Sequence, residues 1–277
     1  MSCPDCFRGQ IHTGQPKGKV TKLYGLDSYV SEPAPGKSSK GIVVIIPDAF
    51  GWEFINIRIL ADHYAEKGDF KVYVPDFMSG NAAPLSMLFN VQTLLAPGNL
   101  FTRFVALIRT VVAAIPFFIH CNPGKTYPAV KGFFEQLRKE EGQDQSIGVA
   151  GFCWGGKHAV TLAHGAEIDG KPLIDAAFTG HPSMLKFSDD IEKIKLPISF
   201  ACAEVDNQVS PLQVELIKSI VGRLPEASRG EARIYEKTSH GFAVRADVKV
   251  PDVAKQADEA EDQAVAWFKG HFKATSL

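Results

Sequence analysis

Ser146-Ile-Gly-Val-Ala-Gly-Phe-Cys-Trp-Gly-Gly156 is the stretch that decides the fold. Ile147 to Gly151 is short and apolar, as a buried strand is, and Lys157 to His164 beyond the glycines has helical character. Between them stands Gly151-Phe-Cys-Trp-Gly155, the nucleophile-elbow pattern Gly-x-Cys-x-Gly, with cysteine at the position usually held by serine. The residue at the tip of so sharp a turn has strained backbone angles, and the glycines let strand and helix approach without clashing Cβ atoms. Cys153 is therefore the candidate nucleophile. At a helix N-terminus the macrodipole and free backbone N–H groups both favour its thiolate. A buried structural cysteine in a Gly-rich turn is the alternative, and the strand before and helix after argue against it.

Outward from the elbow, Ile42-Val-Val-Ile-Ile46 is an unbroken β-branched run that predicts a central parallel strand covered on both faces. Similar runs at 71–74, 176–178, 198–203 and 232–236 alternate with helical patterns. Among these are Ile55, Ile59, Leu60 and His63, a Ser210-Pro211 helix start, and an amphipathic stretch from Asp252 to Phe272. The alternation predicts an α/β fold, a mostly parallel doubly wound sheet flanked by helices. At 277 residues and 45% hydrophobic, residues 1–277 are expected to form a single domain, with 1–22 as an N-terminal extension.

A triad built on such an elbow needs an acid and then a histidine, each in a loop after a later strand. Asp206 follows the 198–203 run and His240 follows the run from Ala232, in that order. His240 would take the thiol proton and return one to the leaving group, with Asp206 fixing its tautomer. The Trp154 N–H is one candidate oxyanion donor, and the Ala49 N–H, in Pro47-Asp-Ala-Phe-Gly51 after the first central strand, is the other. His181, in Thr179-Gly-His-Pro-Ser183, also follows a strand; it is either a structural residue or part of the pocket lining.

Thirty Lys and Arg against 31 Asp and Glu leave a net charge of −1, which draws the chain toward neither nucleic acid nor an anionic membrane. The expected partner is a small molecule, and the expected state monomer or homodimer. Met1 to Arg8 lacks the apolar core of a secretory signal, which predicts a cytoplasmic address. Five cysteines in a chain of this size suit free thiols in a reducing compartment. Cys3-x-x-Cys6 lacks the second pair that zinc would need, so no metal is expected, and Cys202 reads as a core residue.

Residues 82–119 break the rhythm. They are rich in Leu, Phe and Val, with Arg103 and Arg109 as their only charges. The apolar run ends at Pro116, so neither half predicts a membrane-spanning helix of about 20 residues. The segment reads as an inserted helical cap over a pocket, or else as packing helices or a dimer contact.

Asp48-Ala-Phe-Gly51, Val74-Pro-Asp-Phe77, Gly151-Phe-Cys-Trp-Gly-Gly156, Asp206-Asn-Gln-Val209 and His240-Gly-Phe-Ala243 occur in the order seen in dienelactone hydrolases. From Gly41 to Phe272 the chain resembles that family of α/β-hydrolases, its fungal relatives in particular. The resemblance implies a Cys-His-Asp hydrolase of small lactones and esters, acting without metal or cofactor through a thioester acyl-enzyme. It implies that Asp48 occupies the position of a carboxylate that interacts with the resting thiol; the residues alone also fit a loop anchor. Arg245 is similar to an arginine that clamps an anionic substrate, and Phe50, Phe242 and His181 would line the pocket. The apolar insert suggests a greasier substrate, polyketide-derived for instance. A thioesterase or acyltransferase with the same triad, and a non-catalytic ligand-binding relative, are the alternatives.

Overall fold

A computed structural model describes residue 7 and residues 9–273. Cys3 and Cys6 lie outside the described residues. The chain opens with a hairpin, β1 (Lys19–Leu23) and β2 (Leu26–Ser31), which pair antiparallel around Tyr24-Gly25. Both turn residues have positive φ, 47° and 83°, which matches the right-handed twist of the flanking strands.

Next come β3 (Ile42–Ile46), α1 (Ile55–Gly68), β4 (Lys71–Pro75), α2 (Ser86–Leu95), α3 (Leu100–His120) and α4 (Pro123–Glu140). The elbow follows as β5 (Ile147–Phe152) and α5 (Trp154–Leu162), then a two-residue-strand hairpin, β6 (Glu167–Ile168) with β7 (Lys171–Pro172). The chain ends with β8 (Ala176–Gly180), α6 (Asp189–Glu192), β9 (Ile198–Val205), α7 (Pro211–Val221), β10 (Glu231–Ser239), α8 (Phe242–Arg245) and α9 (Pro251–His271).

Eight strands form one sheet in the order β1-β2-β4-β3-β5-β8-β9-β10, parallel from β4 to β10. This is an α/β-hydrolase fold. All five residues of β3 are fully buried, which is why they read as one apolar run with no polar alternation. Helices α1 and α9 cover one face and α4, α5 and α7 the other. The Ser210 hydroxyl accepts from the Gln213 N–H while Gln213 caps back to Ser210 N–H, and that reciprocal box starts α7 where the Ser-Pro pair predicted.

The insert is helical, as expected, but its second helix differs from the sequence reading. Helix α3 runs 21 residues with Pro116 inside it, and is long and apolar enough by length and composition to cross a membrane. A proline this near the C-terminal end removes one backbone bond, and the last turn still closes through the Cys121 N–H to the Phe117 carbonyl. Ala106, Ala114 and Phe117 face inward, and most of the rest of the helix is exposed.

Candidate active site

Parallel strands deliver their C-terminal ends to one edge of the sheet, and the loops leaving β3, β5, β8, β9 and β10 carry every candidate residue. At the elbow, Cys153 has φ 50° and ψ −110°, a conformation that L-residues avoid unless their surroundings impose it. The imposing contacts are visible. The Gly155 N–H donates to the Pro47 carbonyl at 3.2 Å, the Gly156 N–H to the Cys153 carbonyl at 3.0 Å, and the Ser183 N–H to that same carbonyl at 3.0 Å. A Cβ on Gly151 would collide with the Gly155 carbonyl, and one on Gly155 with the Ile46 carbonyl. Close approach of backbone to backbone fixes both glycines.

The acid and the histidine meet although 34 positions separate them. His240 Nδ1 lies 2.8 Å from Asp206 Oδ2, both side chains being buried, and Asp206 Oδ1 accepts from the Gln208 N–H at 2.8 Å. Burial alone would lower the His240 pKa. The charge of Cys153, the hydrogen bond to Asp206 and a hydrogen bond to Cys153 outweigh it and push the imidazole up to about 10. Cys153, His240 and Asp206 thus form one contiguous line of groups.

The Ala49 N–H and the Trp154 N–H donate no hydrogen bond among the described residues. The Trp154 side chain is anchored separately, its Nε1–H donating to the Cys121 carbonyl at 2.6 Å. Asp48 is fully buried. Its Oδ1 accepts from the Phe50 N–H at 3.0 Å and its Oδ2 is held by Arg245 Nη1. Burial drives its carboxyl above the ordinary range, Arg245 opposes this, and the negative charge of nearby Cys153 adds to it. Asp48 is therefore within electrostatic reach of the thiol and is a loop anchor as well.

Arg245, the expected clamp for an anionic substrate, has a partner within the chain: its side chain is fully buried, paired with Asp48 and lying 5.3 Å from the Phe50 ring centroid. His181 is also fully buried, packed edge-on to His240 at 5.1 Å and to Phe242 at 5.9 Å, with neither ring nitrogen hydrogen-bonded among the described residues. Burial keeps its imidazole well below the ordinary range, hence neutral. Phe50 and Phe242 are buried beside these groups. Cys202 is a buried free thiol within β9.

The model of the dienelactone hydrolase family matches residues 26–272. The chain belongs to that family. It is accordingly a hydrolase of the carboxylic-ester class. The hydrolase tropI of Talaromyces stipitatus is 32% identical over 99% of this chain and 97% of its own length, and the hydrolase pyvD of Aspergillus violaceofuscus is 27% identical over 97% and 96%. Among solved structures, a putative dienelactone hydrolase from Klebsiella pneumoniae superposes with a TM-score of 0.62 at 16% identity, covering 91% of this chain and 98% of that one. At that identity the likeness establishes the fold.

In this family member the sequence reading overlooked Ser183. Its Oγ lies 3.6 Å from the Cys153 Sγ, on the loop after β8 that also carries His181. The available signal was the loop's position after a parallel strand, where hydrolase sites form. With Cys153 1% and His240 2% exposed, these candidate groups are shut off from bulk solvent. A cavity of about 500 Å3 reaches His240 from outside, lined also by Gln92, Leu95, Phe242 and Arg245. Helix α2 of the insert thus lines a cavity that touches His240.

Proposed function

We propose that this chain hydrolyses a small carboxylic ester or lactone through a thioester on Cys153. One observation carries the reading: a buried imidazole hydrogen-bonded to a buried carboxylate on one side and to the elbow cysteine on the other. The hydrogen bond between Cys153 and an imidazole braced by Asp206, at the N-terminus of α5, favours a thiolate–imidazolium pair at rest. The thiolate attacks the substrate carbonyl carbon, and the carbonyl electrons move to oxygen, toward the Ala49 and Trp154 N–H groups. As the tetrahedral intermediate collapses, the C–O bond breaks and the imidazolium gives its proton to the departing alkoxide. For a lactone the leaving group stays attached as a hydroxyl. Neutral His240 then takes a proton from water, hydroxide adds to the thioester carbonyl, and the acid leaves with thiolate and imidazolium restored.

Asp206 holds the imidazole and balances its charge throughout. Asp48 sets the resting electrostatics of the thiol and Arg245 keeps Asp48 in place. Leu95 and Ala96 line the cavity that reaches His240, and a substrate seated there would place an apolar portion against them. His181 packs edge-on against the His240 ring and Phe242 packs in turn against His181, an apolar backing that keeps water from that side of the imidazole. The test is turnover of p-nitrophenyl acetate and of a small lactone by wild type and Cys153→Ala. The reading requires that the variant lose turnover of both while keeping its circular dichroism spectrum.

A further inference from the structure

Helix α3 carries the largest anomaly on the surface. Phe101, Phe104, Ile108, Val111, Ile115 and Phe118 follow one another at spacings of three and four and are between 43% and 73% exposed. Alternating three and four is a repeat of about 3.5 residues, the spacing that keeps one seam of a helix facing a second helix. No charged residue falls on this seam; Arg103 and Arg109 lie off it, and Arg103 Nε turns away to donate to the Leu94 carbonyl at 3.0 Å.

We infer that this seam is the contact between two copies of the chain, α3 packing on α3 about a two-fold axis. Three observations favour a second copy. The seam and its apolar neighbours offer on the order of 1,000 Å2 per chain, against roughly 800 Å2 per partner in a standard stable interface. A charge-free stripe meets its own image without bringing like charges together. A cleft of about 590 Å3 between α2 and α3 is lined by Leu107, Val111 and Ile115 and opens on the same face, so it receives side chains of the facing helix. A lipid surface is the poorer match. An interfacial helix sets a cationic face above its apolar one, whereas the back of α3 is packed on the protein through Ala106, Ala114 and Phe117. The net charge of −1 gives no pull toward anionic headgroups.

Light scattering after size exclusion tests this at micromolar concentration. Wild type is expected at twice the 30.2 kDa of one chain, and Ile108→Glu and Ile115→Glu as folded monomers. Should the Glu variants misfold, Ile108→Ala with Ile115→Ala keeps the test: the dissociation constant is expected to rise at least about tenfold. A monomeric wild type overturns the inference, and so does a dimer untouched by either pair of substitutions. Flotation of wild type with neutral phosphatidylcholine vesicles, lost in the Glu variants, would assign the face to lipid and overturn it as well.

Discussion

Asp206 Oδ2 sits 2.8 Å from His240 Nδ1, and neither side chain is open to solvent. A carboxylate in that place holds the proton on Nδ1 and leaves Nε2 for the thiol. Asp206→Asn is expected to lower kcat on p-nitrophenyl acetate by about 10^2 to 10^4-fold, since an amide no longer selects that tautomer. Steady-state kinetics measures it, with circular dichroism to show that the fold persists.

The pH dependence of stability has a definite sign. The pKa of His240 is raised from 6.5 to about 10, and with Cys153 as thiolate the folded pair holds one proton between the two groups. The unfolded chain also holds one until its cysteine ionises at about 8.5, and none above that, so the stabilisation is present at that pH and is lost as pH rises through about 10. Urea unfolding between these two values should show wild-type stability falling with pH. In His240→Ala that contribution is expected to vanish, leaving the shallower slope of the remaining groups.

Arg245 and Asp48 form a fully buried ion pair, and removing one partner strands the other. Arg245→Met is expected to cost about 3–5 kcal/mol in urea unfolding. Asp48→Asn combined with Arg245→Met should recover a large part of that loss, because the uncompensated charge is gone. An additive double variant would contradict the pairing.

The elbow glycines give a separate stability prediction. Gly155→Ala drives a methyl into the Ile46 carbonyl, where strand and helix have no room to part. Destabilisation of about 3 kcal/mol or more is expected in thermal or urea unfolding, with activity falling alongside it as the elbow shifts.

The legible parts of this chain were those that local patterns determine. The apolar runs became β3, β4, β5, β8, β9 and β10, and the Ser210 cap began α7, because burial on both faces and capping each leave a short-range mark. The β1–β2 hairpin left little mark, since β1 is mostly exposed and its turn is Tyr24-Gly25 in place of a typical Asn-Gly. Motif order was enough to nominate Cys153, Asp206 and His240. The Arg245–Asp48 pair left no mark because the partners are 197 positions apart, and whether an arginine faces solvent or a buried carboxylate depends on long-range packing that no local pattern encodes. Ser183 was overlooked for the same reason. Pro116 suggested an end to the apolar run, yet α3 accommodates it near its C-terminus.

The proposed chemistry depends on acylation of Cys153. Quenching a reaction with p-nitrophenyl acetate in acid during the first turnovers, then mapping peptides by mass spectrometry, tests it most directly. One acetyl group per chain is expected on the peptide that contains Cys153, absent from Cys153→Ala, which also fails to turn over. Acetylation of another residue, or wild-type turnover by Cys153→Ala, would contradict it.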